Sequence, residues 1–417
     1  MTATPTEPAT GRGPRRALCV IVALTLSASG CGAGDPGTVV VRDSAGVRIV
    51  ENPASAMEAA ERWTIRAAPS LRIGGAEGDS LREFTRIVDA VRLGDGRIVV
   101  ADAGASELRA FDAEGRFLWR QGGRGAGPGQ YRAVRDVWRL PGDSVAALDG
   151  RLRRVVVVDP EGNDVRTVSV EAPVQARNLD AGAPLGALGS RLVIPGHAPD
   201  RTGDAGFNWQ VHYLLDPTDG SLDSLGVFPR MPRVALPGQP EAWPRFGWAT
   251  HLAASDSGIY MGTGQAYEVG YYDAGHSLQR LIRWHGPDRT ITDADREDYL
   301  DRYIERSRTP PGQEAAVRAD LETIPEAERK PAYFGLRTDR AGNLWVRDLD
   351  LAWMRVPETV RWTVLDPEGR LIARADMPGS VLPLEIGEDY VLARWRDDAD
   401  VQYVALFDLV KGGGAAD

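Results

Sequence analysis

After residue 31 the chain has no cysteine; its two cysteines stand at positions 19 and 31 of 417. The body therefore has no disulfide and no thiolate metal site. Histidine is scarce as well. His197, His212, His251, His276 and His285 are the only five, and none stands in H-x-H or H-E-x-x-H spacing. That removes the local zinc motifs, although ligands from distant segments stay open. A basic excess is also missing: 49 Lys and Arg face 59 Asp and Glu, for a net charge of −10. Such a surface argues against nucleic acid or an anionic membrane as a partner. What is present in quantity is short β-rich runs separated by Asp- and Gly-containing turns.

The first thirty residues read as a leader. Arg12, Arg15 and Arg16 precede the 12-residue apolar run ALCVIVALTLSA at 17–28, too short to span a bilayer. The run ends in ASGC at Cys31. This resembles the lipobox of bacterial lipoproteins, with Ala28 where that family usually has Leu. The resemblance implies lipidation at Cys31 and residence on the periplasmic side of a bacterial membrane, held by the lipid anchor alone. Losing residues 1–30 removes three arginines and one glutamate, taking the net charge from −10 to −12. Residues 31–60 read as a tether and a β-hairpin, and 61–417 as the folded body.

That body repeats itself. FTRIVDAVRLGDGRIVVAD from Phe84 aligns with YRAVRDVWRLPGDSVAALD from Tyr131. Phe84/Tyr131, Asp89/Asp136, Asp102/Asp149, Asp112/Asp159 and Gly115/Gly162 all stand 47 residues apart. The period suits a propeller blade. The turn D-x-x-G recurs at Asp112, Asp159 and Asp366, and loosely at Asp216, Asp273 and Asp408. Gly tolerates positive φ and Asp bonds its own following backbone, which is hairpin chemistry. Units begin near Asp89, Val134, Ala183, Ala249, Tyr333 and Val381. The chain stops soon after the third strand of the last unit, so its fourth strand is expected from the N-terminal side. The expected fold is an all-β, six-bladed β-propeller of four-stranded antiparallel blades, closed by an N-terminal strand. A helical insertion at 286–331 separates blades four and five: Thr292 and Asp295 suggest an N-cap pair, followed by a stripe of Tyr299, Leu300, Tyr303 and Ile304.

With GRIVVAD, GRGAGPGQY and GNLWVRD in place, residues 60–410 resemble six-bladed propellers of the NHL-repeat and TolB-like kind. Lipoproteins of uncharacterised function are common among these, and the fold hosts binding proteins and enzymes alike. Lactonase-type relatives hold calcium in the central channel through Asn, Asp and Glu. Here only five Asn occur, and only Asn178 falls near the start of an inner strand.

Every long connection is expected at one end of the blades, and elaborated loops on a rigid scaffold are where function concentrates. The candidate ligand-binding face there comprises Asp102, Asp149, His197 and Asp348, each just after a second strand, with Trp243, Phe246 and Trp248 from the largest non-helical loop. Aromatics beside carboxylates suit a sugar, a peptide or a cation; the Asp residues equally suit backbone-bonding turn roles. GDSL at 78–81 with DAGH at 273–276 spells a serine-hydrolase signature, but both fall on repeat turns. DADRED from Asp293 lacks the glycine and final glutamate of a calcium loop, and the glycines at 122–129 lack a following Lys and a strand-to-helix context. The expected function is a monomeric binding scaffold for a protein or glycan, with a divalent-cation hydrolase or lyase in the channel as the alternative.

Overall fold

The structure is a computed structural model that describes residues 38–75, 78–170, 185–197, 207–236, 239–349, 357–397, 399 and 401–412. The leader, Cys31, Asn178 and Ala183 lie outside these residues. No helix among them is long and apolar enough to cross a membrane.

Four-stranded antiparallel sheets follow one another along the chain. The first runs Ile87–Arg92, Ile98–Asp102, Glu107–Phe111, Phe117–Gly122, and the second Val134–Arg139, Val145–Asp149, Arg154–Val158, Asp164–Ser169. The third holds Ala187–Leu188, Arg191–His197, Phe207–Leu215 and Leu222–Pro232. The fourth holds His251–Ser255, Gly258–Gly262, Glu268–Tyr272 and Leu278–Trp284. Tyr333–Thr338, Leu344–Asp348, Thr359–Leu365 and Leu371–Pro378 form the fifth. The sixth begins Val381–Ile386, Tyr390–Arg396, Gln402–Val410 and takes its fourth strand from far upstream, Leu71–Ile73. The result is a propeller-like β fold.

Central strands such as Ile98–Asp102 and Val145–Asp149 are buried at every position. Their β-branched and alanine runs do not alternate because both faces meet a neighbouring sheet. The fourth strand Phe117–Gly122, at the edge of its sheet, does alternate between half-buried and exposed positions. The core is accordingly a series of apolar layers between successive sheets. Val99, Ala110, Val137 and Val156 join the first and second, while Ile87, Phe111, Leu392 and Val404 join the sixth back to the first. First strands touch one another: Ile87–Arg92 packs on Val134–Arg139 and on Val381–Ile386, and His251–Ser255 on Tyr333–Thr338. They are the inner strands.

The turns carry the expected chemistry. Asp112 Oδ1 accepts from the Arg116 amide at 2.8 Å and Gly115 sits at φ 78°. Asp159 with Gly162 and Asp366 with Gly369 repeat this. At Asp273 the same amide bonds form although His276 takes the left-handed position at φ 62°. Asp408 departs from the pattern: it lies inside Gln402–Val410, paired with Tyr390, and meets Arg66 at 3.3 Å.

The N-terminal segment laces the rim. Hairpin Val40–Ser44/Val47–Asn52 adds to the outer edge of the fourth sheet through parallel pairing with Leu278–Trp284. Asn52 then bonds Arg283 O, Gly369 O and the Leu371 amide, tying the fourth sheet to the fifth. Glu61–Ile65 adds in parallel to Leu371–Pro378.

Candidate functional site

Asp102 and Asp149 hold equivalent posts. Both are fully buried. Asp102 Oδ1 accepts from the amides of Arg86 (2.9 Å), Gly104 (3.0 Å) and Ala105 (3.3 Å), and Oδ2 from Thr85 (3.0 Å). Asp149 accepts from Arg132 (2.7 Å), Ala133 (3.2 Å), Arg151 (3.0 Å) and Leu152 (3.0 Å). Four amides saturate each carboxylate, so each ties the end of its second strand to the connection before its own sheet. Asp348 also lies at a strand end, on Thr363 Oγ1 at 2.9 Å and Arg374 at 3.3 Å, and burial raises its carboxyl above the usual range. His197 ends its strand opposite Gln210, and its side chain lies outside the described residues.

The aromatics divide. Phe246, at φ 57°, turns inward and packs on Tyr299 at 5.0 Å beside Ile291, Leu300 and Leu321. It is the peg on which the two helices of 286–331 are mounted. These helices are Asp293–Arg306 and Glu314–Glu322, opened by a Thr292/Asp295 capping box. The mount is reinforced: Glu326 accepts from Arg296 at 2.8 Å, and Arg245 Nε donates to Ile324 O at 3.1 Å. Of the stripe, Tyr299 and Leu300 are buried while Tyr303 is 37% exposed. Trp248 is half-buried beside Phe207, 5.9 Å away, which is 40% exposed. Trp243 lies over Gly247, where an added Cβ would meet its Nε1 at 2.1 Å.

The repeat pair not singled out from sequence, Asp89 and Asp136, lies on adjacent inner strands. Asp89 accepts from the amides of Ala90 (2.9 Å) and Val137 (3.0 Å), bridging the first two sheets. Burial, with Asp136 nearby, pushes its carboxyl well up against the pull of those bonds and of Arg337. Burial pushes Asp136 up to about 6. Asp136 itself is half-buried. Among the described residues no side chain donates to it. Arg337 reaches the same region from the fifth sheet, and burial lowers it to about 10. Their 47-residue offset was the available signal; placing them around one centre required closure of the sheets.

The fit of calcium here is poor. Both Asp89 oxygens are committed to amides and Arg337 supplies a competing cation. Among the described residues no three His, Cys, Asp or Glu side chains come together. The glycine-rich loop is likewise filled: Arg154 donates to Gly127 O at 2.9 Å and to Ala126 O, so its carbonyls turn inward on a cation. Ser80 lies between Leu71–Ile73 and Ile87–Arg92, whereas His276 is in a hairpin turn of the fourth sheet. The serine-hydrolase spelling is thus dispersed over two sheets.

No protein-family model and no curated protein matches this chain. Among solved structures, a member of the DUF4221 family from Bacteroides vulgatus is 12% identical, with 84% of this chain and 99% of that one covered and a TM-score of 0.49. Regucalcin, a calcium-binding protein from Agrobacterium tumefaciens, is 13% identical over 85% of this chain and 97% of its own, at 0.37. A catalytically inactive virginiamycin B lyase from Staphylococcus aureus is 9% identical over 84% and 94%, at 0.39. At these levels none of them carries an activity to this chain.

Proposed function

We propose that this chain is a lipid-anchored, extracytoplasmic, six-bladed propeller that binds a protein or glycan through the face bearing its long connections. One observation carries the reading: 286–331, the 243–250 loop with Trp243 and Trp248, and Asp348 all belong to that end, while the opposite end is closed by short Asp-Gly turns. Phe246 serves the face from beneath by fixing its helices, and Asp102 and Asp149 by fixing the strand ends. The body's freedom from cysteine makes the test direct. A photo-cross-linker on Tyr303→Cys is expected to give adducts in bacterial membranes, and one on Glu114→Cys, at a short turn, none. Adducts from Glu114→Cys alone would reverse the assignment.

A second reading, a hydrolase or lyase working in the central opening, is favoured by Asp89 and Asp136. Paired carboxylates with raised proton affinity suit acid–base exchange. Under that reading Asp136→Asn abolishes lactone or ester turnover while leaving the fold intact.

A further inference from the structure

A cleft of about 370 Å³ opens at the long-connection end of the fourth sheet. Tyr267 and Glu268 line it from the start of the third strand, Trp284 from the end of the fourth, and Asp288, Arg289 and Arg329 from the segments entering and leaving the helical pair. None of these residues was singled out by the repeat, because they come from the connections.

The cleft is built rather than incidental. Tyr267 stands edge-on to Trp284 at 5.9 Å and donates its hydroxyl to Pro287 O at 3.0 Å. A Cβ on Gly286 would come within 2.2 Å of the Tyr267 ring, so glycine is what lets that ring lie flush. Arg289 sits 5.8 Å over the same ring and spends one Nη1 bond on Lys330 O at 3.1 Å, a contact that leaves its charge unbalanced. Arg329 is exposed. Among the described residues neither guanidinium has a carboxylate within ion-pair distance. Arg283, by contrast, is consumed by Glu268 at 2.6 Å and Glu51 at 3.3 Å.

Two guanidinium forks with no ion-pair partner among the described residues, beside an aromatic wall in a chain of net charge −10, fit one planar carboxylate. The carboxylates of Glu268 and Asp288 in the same lining would repel a multiply charged anion, yet they accept well from hydroxyls. The volume lies at the small end of ligand pockets. We infer that the cleft binds a sugar acid: its carboxylate on Arg289 and Arg329, its hydroxyls on Glu268 and Asp288, and its ring against Tyr267. This rests on the long connections forming the binding face.

The test is calorimetric titration of the full chain in detergent with glucuronate, glucose and inorganic phosphate. Glucuronate is expected to bind at least about tenfold more tightly than either of the others, the scale of one charge-assisted contact. Arg289→Gln and Arg329→Gln are each expected to weaken it about tenfold. Among the described residues Arg329 makes no hydrogen bond or ion pair, so Arg329→Gln separates ligand loss from misfolding. Equal binding of glucose, tighter binding of phosphate, no glucuronate binding at millimolar concentration, or indifference to Arg329→Gln each overturns the sugar-acid assignment. If Tyr303→Cys still cross-links while glucuronate fails, only the ligand class falls. If the cross-link fails too, the face itself is wrong.

Discussion

Replacing Asp102 by asparagine separates a structural carboxylate from a ligand-binding one. The side chain keeps its shape, but only one of its two acceptors survives. Oriented to serve Arg86, Gly104 and Ala105 with its oxygen, the new amide points its NH2 at the Thr85 amide and towards Arg109, whose Nη2 stands 3.7 Å from the carboxylate. One charge-assisted bond is lost and a buried donor is left facing a donor. Together these cost about 3 kcal/mol. Asp149→Asn repeats the change where, among the described residues, no guanidinium stands within ion-pair distance, and is expected to cost about 2 kcal/mol. Urea denaturation followed by tryptophan fluorescence measures both, the midpoint shifting with an unchanged slope. If both variants stay within about 0.5 kcal/mol of the parent yet lose ligand, the amide-saturated carboxylates are not what holds these strand ends.

Other consequences are open to measurement. Phe246→Ala removes the peg under the helices, and a cavity of that kind costs about 3 to 4 kcal/mol. Hydrogen exchange should speed up across Asp293–Arg306 and Glu314–Glu322 and stay unchanged in the sheets, whereas uniform acceleration would contradict the peg. Asp136, raised to about 6 from 3.8, keeps a proton in the folded state that the unfolded chain releases. Stability from this group therefore falls as pH rises between those values. Asp136→Asn is expected to be more stable at pH 7.5 by about 3 kcal/mol and to lose that slope. His212 works in the opposite direction. Burial lowers it to about 4, so between 6.5 and 4 only the unfolded chain takes up the proton and stability falls with falling pH. His212→Leu should retain about 3 kcal/mol more at pH 4, relative to pH 7, than the parent does. Finally, Cys31→Ser should move the protein from the membrane pellet to the soluble fraction; retention in the pellet would refute the lipid anchor.

Much of the architecture is written locally, and for a reason. A turn such as Asp112–Arg116, the capping box of Thr292 and Asp295, and a run such as IVVAD each draw on partners within a few residues, so their chemistry is visible in the string. The 47-residue offset then shows that one unit is reused. The observed inner strands begin at Ile87, Val134, Ala187, His251, Tyr333 and Val381, beside the positions that offset and its echoes mark. Even the missing outer strand could be expected from the N-terminal side. That it is Leu71–Ile73, and not the earlier hairpin, was decided by pairing with Gln402–Val410 across most of the chain.

What tertiary structure alone decided is the fate of each polar or aromatic side chain. Phe246 and Trp248 stand two residues apart in one loop, yet one is buried under helices that arrive some fifty residues later while the other remains half-open. Asp102 was open to either a ligand-facing or a backbone-bonding role and is buried on four amides; Asp89, visible in the string only as one of a repeat pair with Asp136, meets Arg337 of the fifth sheet. The cleft beneath Arg289 and Arg329 exists only because a helical pair is folded back against a sheet end. Local hydrogen bonding follows from neighbours along the chain. Burial, charge and access depend on which distant segments close over a residue, and these only the closed ring of sheets determines.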